Sequence, residues 1–193
     1  MRRIAIFASG SGTNFEAIVA ACESGEIEGE VALMVCDKPQ AKVVERAKNH
    51  GIEAFVFSPK DYASKAEFEA EIVKRLDEKG VELVCLAGYM RIVGETLLKA
   101  YEGRIINIHP ALLPSFPGAH GIQDAFDYGV KVFGVTIHYV DATLDGGKII
   151  AQRGFEYYGD DVNELETKIH AVEYVLYTET INKLLNEKKI AEI

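Results

Sequence analysis

The feature that most constrains this chain is a regular alternation of apolar runs with helix-like segments through its N-terminal half. Short apolar and β-branched runs predict strands, and apolar residues spaced three and four apart predict helices. Strands that alternate with helices pair in parallel, with helices on both faces of the sheet. The predicted strands are Ile4–Ala8, Val31–Cys36, Ala54–Phe57, Leu83–Ala87 and Ile105–His109, and the predicted helices are Thr13–Glu23, Ala41–His50, Ser64–Lys79 and Glu95–Tyr101. The sequence therefore predicts an α/β fold with a doubly wound, mostly parallel sheet.

The pattern changes after residue 110. A loop rich in proline and glycine is followed by a short helix at Gln123–Tyr128 and two longer strands, Val132–Val140 and Lys148–Glu156. The glycine-rich segment Leu144–Gly147 between these strands predicts a C-terminal β-hairpin. A capping-box pattern at residues 161–164 then opens a long terminal helix.

Composition limits the partners of such a domain. With 48% hydrophobic residues, a chain of 193 residues can bury enough surface to fold without a metal or a disulfide. The net charge of −9 has the wrong sign for a surface that grips nucleic acid or an anionic membrane. The apolar run after Met1 is too short for a signal peptide, and no stretch has the length of a membrane span. We expect a cytoplasmic protein with no nucleic-acid or membrane partner, and both a monomer and a homodimer are compatible with the sequence.

The first candidate site is the loop Ser9–Asn14, between the first strand and the first helix, with the sequence Ser-Gly-Ser-Gly-Thr-Asn. Its glycines allow a ligand to approach the backbone closely, and N–H groups at the start of a helix attract an anion. The residues leave three interpretations open: a phosphate monoester site, a dinucleotide site with Asp37 as the ribose-binding acid, and a purely structural turn. Phe15 stands where the dinucleotide fingerprint has its third glycine, which favours the phosphate monoester.

A second candidate site lies at the end of the fifth predicted strand, where Asn107 and His109 alternate and therefore share one face. Ligands of open α/β sheets bind at the carboxyl ends of the strands. An amide beside an imidazole can stabilise the oxyanion of acyl transfer to an amine, while the imidazole carries a proton. The residues alone nevertheless favour a structural role for His109, as the polar end of a strand.

Asp145 precedes two glycines, and Asp-Gly pairs are typical of hairpin turns, so by itself this residue predicts structure rather than chemistry. His138 and His170 are interpreted as ordinary residues of a strand and of the last helix. Cys36 and Cys85 lie at or within apolar strands and are predicted to be reduced core thiols. The histidines and cysteines lack the spacing of metal ligands, so we predict no metal site.

Several of these segments, taken together, are similar to those of the glycinamide ribonucleotide transformylases, the folate-dependent formyltransferases of purine biosynthesis. The resemblance runs from Ile4 to about Tyr177, and its motifs are Gly10–Asn14, Cys36–Pro39, Ala87–Ile92, Asn107–Pro114 and Leu144–Gly147. The Asn-x-His-Pro run followed by Leu-Leu-Pro is specific to folate formyl-transfer domains. The resemblance implies a Rossmann-like formyltransferase fold that uses no metal.

It also implies a reaction, in which a formyl group moves from N10 of 10-formyltetrahydrofolate to the amine of 5′-phosphoribosylglycinamide. The implied catalytic residues are Asn107, His109 and Asp145. The implied ribonucleotide-binding residues are Gly12, Thr13 and Asn14, at the phosphate, and Glu173. The implied folate-binding residues are Met90, Arg91, Ile92, Val93 and Asn107, with Lys65 for the glutamate tail. Residues 1–193 would form one domain, with a phosphate-binding half in residues 1–100 and a folate-binding and catalytic half in residues 101–193.

The chain departs from the family pattern at Lys65, Ala111 and Tyr174, where arginine, serine and histidine are usual. Lysine offers a point charge and not the bidentate fork of arginine, which weakens the implied contact with the folate tail. Two alternatives to the implied function are a formyltransferase with another amine as acceptor and a non-catalytic nucleotide-binding module. Dependence on folate separates these alternatives.

Overall fold

The computed structural model describes residues 1–187, and one seven-stranded sheet forms its centre. The strands are β1 (Arg2–Phe7), β2 (Gly29–Cys36), β3 (Ala54–Val56), β4 (Leu83–Leu86), β5 (Ile105–His109), β6 (Val132–Tyr139) and β7 (Ile149–Glu156). The helices are α1 (Thr13–Ser24), α2 (Lys42–Asn49), α3 (Lys65–Glu78), α4 (Glu95–Ala100), α5 (Gly121–Tyr128) and α6 (Val162–Asn186), and a short 3₁₀ helix spans Pro59–Asp61. The predicted alternation of strands and helices is therefore confirmed.

The strands lie in the order β3-β2-β1-β4-β5-β6-β7. The first five strands pair in parallel, whereas β6 and β7 are antiparallel and form the predicted hairpin at one edge. This arrangement confirms the doubly wound, mostly parallel sheet. Its winding reverses between β1 and β4, which leaves a crevice at the carboxyl ends of these two strands.

Strand β1 is apolar without alternation because both of its faces are buried. Ile4 and Ile6 belong to the core that includes α1 and α6, and Ala5 and Phe7 belong to the core that includes α3 and α4. All four residues are 0% exposed. The buried Tyr177 of α6 donates a hydrogen bond from its hydroxyl to the carbonyl of Leu86 at 2.8 Å, which fixes α6 over the end of β4.

The connection of the hairpin differs from a two-residue Asp-Gly turn. Strand β6 ends at Tyr139 and β7 begins at Ile149, so residues 140–148 lie between them. Asp141 Oδ1 accepts a hydrogen bond from the N–H of Thr143 at 2.8 Å, which forms a separate turn at the start of the connection. The chain therefore leaves the β6–β7 ladder before it reaches Asp145, and this residue is not held in a tight turn between the two strands.

Cys22, Cys36 and Cys85 are free thiols, as predicted for Cys36 and Cys85. Burial raises the pKa of Cys22 to about 11 and raises the pKa of the fully buried Cys85 further. None of the helices within residues 1–187 is long and apolar enough to cross a membrane. The division at residue 100 falls between neighbouring strands of one sheet, β4 and β5, and stays a prediction.

A charged cluster joins the ends of α1 and α2. His50 contacts Glu16 through Nε2 at 2.7 Å and Glu23 through Nδ1 at 3.0 Å. These contacts raise the pKa of His50 above its usual value, chiefly through the hydrogen bond to Glu16. The stabilisation is therefore complete below the unfolded-state value of 6.5 and is lost as the pH rises through the higher folded-state value.

We expect His50→Gln to lower the free energy of unfolding by roughly 0.2–1 kcal/mol at about pH 6, as is typical of partly exposed ion pairs, and by less at about pH 9. Urea denaturation at the two pH values measures the difference. Lys48→Gln, which removes an exposed charge on the same helix, is the control and should show no such pH dependence. An equal effect of His50→Gln at both pH values would contradict the stabilising ion pairs of His50 with Glu16 and Glu23.

Candidate active site

A cleft of about 640 Å³ opens at the carboxyl ends of β1, β4 and β5, where the winding of the sheet reverses. Its wall is formed by the loop after β1, the loop after β4, the end of β5, the hairpin connection and the first half of α6. The predicted site residues that line it are Gly12, Thr13, Asn14, Met90, Arg91, Ile92, Val93, Asn107, His109, Asp145 and Glu173. The structure therefore brings together every predicted site residue except Lys65.

The loop Ser9–Asn14 forms the N-terminal end of α1. Gly12 is the residue before the helix and has left-handed backbone angles, with φ 75°. No side chain within the described residues caps this helix, so its first N–H groups are open to a ligand. Arg46 of α2 donates from Nε to the carbonyl of Ser11 at 2.7 Å and holds the loop from behind.

Gly12 is required by the fold as well as by a ligand. A Cβ atom at this position would lie 2.6 Å from Cγ2 of Val43, in α2. A side chain at Gly12 would therefore disturb the packing of the loop on α2 as well as block a ligand. Gly10 differs, because a Cβ atom there would meet nothing within 4 Å.

Next to this loop, three side chains of α1 and α6 form one hydrogen-bonded group. Glu173 is 4% exposed, and its Oε2 lies 2.6 Å from His170 Nδ1 and accepts a hydrogen bond from Asn14 Nδ2 at 3.4 Å. The contact with Glu173 raises the pKa of His170, against the smaller effect of desolvation. Asn14 Oδ1 is buried and has no partner among the described residues, so it can accept a hydrogen bond from a ligand.

His109 is held in one orientation by the loop that follows β5. Its Nε2 lies 2.7 Å from the carbonyl oxygen of Phe116, and because that oxygen only accepts, Nε2 carries a proton and donates. Asp145 Oδ2 lies 3.6 Å from the other ring nitrogen, Nδ1. Nδ1 is therefore the ring nitrogen that has no hydrogen bond among the described residues.

Asp145 reaches His109 from the hairpin connection, where the chain has a left-handed backbone with φ 48°. Its Oδ2 accepts a hydrogen bond from the N–H of Gly118 at 2.8 Å, which joins the connection to the loop after β5. Phe116 has φ 54°, and these two are the non-glycine residues with positive φ in the described chain. Both contact His109, and such backbone strain is typical of functional sites.

Asn107 is oriented by a residue that the sequence analysis missed. Its partner in the antiparallel register of β5 and β6 is His138, which is 2% exposed. His138 Nδ1 lies 2.9 Å from the carbonyl of Tyr139 and therefore donates, so Nε2 accepts from Asn107 Nδ2 at 3.2 Å. His138 Nε2 also lies 3.9 Å from Asp145 Oδ1. Pairing the Asn107/His109 alternation with that of Thr136 and His138 could have found this contact.

The loop after β4 supplies the side of the cleft predicted to bind folate. Met90 and Ile92 are each 64% exposed, which is unusual for large apolar side chains in a cleft wall and is typical of a binding surface. Lys65 lies outside the cleft, beside the same loop: its Cδ is 2.9 Å from where a Cβ atom of Gly94 would be. A role for Lys65 would require a ligand that extends out of the cleft along α3.

Asp37 is not available to a ribose. It is 4% exposed, and both carboxylate oxygens are in use: Oδ1 accepts from Ser9 Oγ at 2.5 Å and Oδ2 accepts from Arg91 Nε at 2.9 Å. The dinucleotide interpretation of the first loop therefore loses its ribose-binding acid. Within residues 1–187, no group of three or more histidine, cysteine, aspartate and glutamate side chains is placed to hold a metal ion.

Two of the departures from the family pattern lie beside the cleft without entering it. Ala111 is 3% exposed, and its carbonyl accepts a hydrogen bond from Thr136 Oγ1 at 2.7 Å. Tyr174 stacks on His170, with ring centroids 6.4 Å apart. Neither residue forms a hydrogen bond or an ion pair with His109 or Asp145 within the described part of the chain.

We expect Gly12→Ala to lower the free energy of unfolding by roughly 2–4 kcal/mol, because it adds both left-handed strain and overlap with Val43. Gly10→Ala is the matched control in the same loop and should change it by less than about 1 kcal/mol. Urea denaturation of both variants is the measurement. Equal losses of stability would show that the loop does not pack on α2 as described.

Comparison with known proteins assigns this chain to a family. Residues 2–181 match the family model described as "Formyl transferase". The phosphoribosylglycinamide formyltransferase of Bacillus subtilis is 52% identical over 186 residues, which are 96% of this chain and 95% of that protein. The trifunctional purine biosynthetic protein adenosine-3 of Drosophila melanogaster is 36% identical over 96% of this chain, which spans only 14% of that longer protein.

Solved structures agree with these matches. The crystal structure of glycinamide ribonucleotide transformylase 1 from Geobacillus kaustophilus has a TM-score of 0.94 and 53% identity, and the match covers 96% of this chain and 100% of that one. That of phosphoribosylglycinamide formyltransferase from Bacillus halodurans has a TM-score of 0.92 and 56% identity, with 96% of each chain covered. The chain belongs to the formyl transferase family, in the branch of the phosphoribosylglycinamide formyltransferases.

Proposed function

We propose that this chain transfers the formyl group of 10-formyltetrahydrofolate to the primary amine of 5′-phosphoribosylglycinamide, in de novo purine biosynthesis, and that Asn107, His109 and Asp145 carry out the chemistry. The observation that carries this proposal is the meeting, in one cleft, of an open helix N-terminus with a histidine held between two strained loops. The first feature suits a phosphate, and the second suits acyl transfer to an amine.

The reaction sets clear requirements for the protein. The amine attacks the formyl carbon, and the carbonyl oxygen becomes an oxyanion in the tetrahedral intermediate. The attacking nitrogen then loses a proton, the bond from carbon to N10 breaks, and N10 gains a proton. A catalyst must therefore stabilise the oxyanion and move one proton from one nitrogen to the other.

Asn107 and His109 meet these requirements. One of the two hydrogens on Asn107 Nδ2 is directed to His138 Nε2, so the second can be donated to the oxyanion. His109 donates from Nε2 to Phe116, so Nδ1 is the nitrogen that accepts and returns the proton. His138 acts here as a positioning residue, since it fixes the amide of Asn107 without facing the reacting atoms itself.

Asp145 supplies charge to this group. At 3.6 Å its carboxylate is beyond hydrogen-bond distance of His109 Nδ1, so it acts on a proton there through Coulomb attraction or through a bridging water. The hydrogen bond from Gly118 keeps Oδ2 in place. The side chains of Asp145 and His109 are 12% and 5% exposed, which lowers the screening of this attraction by solvent.

The two substrates are assigned to opposite walls of the cleft. We place the phosphate of the ribonucleotide on the N–H groups of Gly12, Thr13 and Asn14, and its ribose or glycinamide end at Glu173. The orphaned Asn14 Oδ1 supports this placement, because a ligand hydroxyl or amide would satisfy it. We place the folate against Met90, Arg91, Ile92, Val93 and Asn107, with its glutamate tail directed to Lys65.

The cellular location and the partners of the protein are part of the same proposal. We place the reaction in the cytoplasm, without nucleic-acid or membrane partners, and the net charge of −9 supports the absence of a polyanionic partner. A homodimer stays compatible with this function. Of the two halves expected of the domain, residues 1–100 would hold the phosphate and residues 101–193 would supply the catalytic side chains, whereas the folate placement at residues 90–93 falls in the first half.

The purified protein should consume 10-formyltetrahydrofolate only when phosphoribosylglycinamide is present, as followed by absorbance. His109→Ala should lower kcat by on the order of 10² to 10⁴, because it removes the group that carries the proton between the two nitrogens. The affinity for each substrate should change little, since this role does not operate in the ground state. Consumption without acceptor, or only with a different amine, would contradict the proposed acceptor, and normal turnover of His109→Ala would contradict its role.

Asp145→Asn should fold normally and lose turnover by on the order of 10² to 10⁴, because asparagine tolerates the left-handed backbone but carries no charge. Denaturation and steady-state kinetics together measure this. Asp160→Asn, an exposed aspartate outside the cleft, is the control and should keep normal turnover. Full activity of Asp145→Asn would show that Asp145 has only a structural role, in the hairpin connection.

A further inference from the structure

Ser9, Asp37 and Arg91 meet at the base of the cleft, although they follow three different strands. Ser9 follows β1, Asp37 follows β2, and Arg91 lies in the loop after β4. The Ser9 hydroxyl donates to Asp37 Oδ1 at 2.5 Å, and Arg91 Nε donates to Asp37 Oδ2 at 2.9 Å. None of the steps described above for formyl transfer uses this cluster.

The cluster joins the two loops that form opposite walls of the cleft. The N–H of Met90 donates to Ser9 Oγ at 2.9 Å, and the N–H of Ser9 donates to the carbonyl of Gly88 at 3.0 Å. Ser9 is the first residue of the phosphate loop, and Gly88 and Met90 belong to the loop assigned to folate. A displacement of either loop therefore changes hydrogen bonds of the other.

Asp37 is the centre of this connection because its charge is buried. Its side chain is 2% exposed, and the described structure offers it one cationic partner, Arg91, whose side chain is 36% exposed and lines the cleft. Removing one partner of a buried charge is strongly unfavourable, so the three side chains have to move as a unit. A lone serine or arginine at either loop would not create this dependence.

We propose that Asp37 is a positioning residue that couples the binding of the two substrates. The proposal rests on the proposed function, which assigns the loop after β1 to the ribonucleotide and the loop after β4 to the folate. The ligand that binds first orders both loops through Asp37, so the second ligand binds to a loop that is already in place. A cluster that only stabilised the fold would leave the two affinities independent of each other.

The coupling is measured by titration calorimetry with phosphoribosylglycinamide and tetrahydrofolate, which carries no formyl group and so allows both ligands to bind without reaction. Each dissociation constant is determined with and without saturating amounts of the other ligand. In the wild type, each ligand should lower the dissociation constant of the other by roughly fivefold or more, and by linkage the two factors should be equal.

Asp37→Asn should bring this factor close to one, because it removes the buried charge that holds Ser9 and Arg91 together and turns one of the two accepting oxygens into a donor. Ser9→Ala should do the same by a smaller structural change, since it removes the link to Met90 and leaves the pair of Asp37 and Arg91 intact. The double variant should lose no more coupling than either single variant, because both cut one connection. Asp160→Asn removes an exposed charge outside the lining of the cleft and should keep the wild-type factor.

Thermal melts of each variant separate loss of coupling from loss of folding, and Ser9→Ala provides the test if Asp37→Asn does not fold. Independent binding of both ligands to the wild type, or a wild-type factor retained in a folded Asp37→Asn or Ser9→Ala variant, would overturn the coupling proposal alone. Failure of the wild type to bind either ligand would instead overturn the proposed function, and the coupling proposal with it.

Discussion

Strand β1 lies between β2 and β4, and both of its faces are buried. The geometry of the cleft follows from this constraint. Because β1 pairs in parallel on both sides, the chain leaves its carboxyl end in the direction of α1, and the loop after β4 turns away in the opposite direction. The space between the two loops is the cleft. Tyr177 fixes α6 over this end of the sheet, and so places Glu173, about one turn earlier, and His170, about two turns earlier, over the same opening.

The potential at the start of α1 is set by local groups and is opposite in sign to the net charge of the chain. A protein with net charge −9 does not attract a phosphate through its general surface, so the proposed phosphate site depends on the N–H groups at the start of α1. Two carboxylates close to that loop are held by partners: Asp37 by Ser9 and Arg91, and Glu173 by His170 and Asn14. These contacts limit the repulsion that a bound phosphate would meet.

Precision at the proposed catalytic group comes from strained backbone more than from regular structure. Asn107 and His109 lie on β5, whose pairing with β6 is regular, but the two groups that hold the ring of His109 come from loops. Phe116 and Asp145 both have left-handed backbone angles that non-glycine residues rarely adopt, and the hydrogen bond from Gly118 to Asp145 joins their loops. The strain persists because the surrounding contacts leave each loop one arrangement.

Local pattern in the sequence was sufficient for the α/β class, for each strand and α-helix of the described chain to within a few residues, and for the positions of the loop Ser9–Asn14 and of Asn107 and His109. The short 3₁₀ helix Pro59–Asp61 was not predicted. Alternation, glycine placement and strand ends are local properties, so a single sequence expresses them.

The contacts that the local pattern did not predict join segments distant in the chain. Asp145 looked like a plain turn and His138 like a plain strand residue, because their contacts with His109 and Asn107 depend on the pairing of β5 with β6 and on a connection that leaves the ladder early. In the same way, the packing of Gly12 on Val43 and the capture of Asp37 by Ser9 and Arg91 arise only when segments distant in the chain come together. The sequence by itself determined which elements form and at which edge of the sheet the cleft lies, whereas the tertiary structure decided which side chains meet there, since that depends on the register and order of the strands.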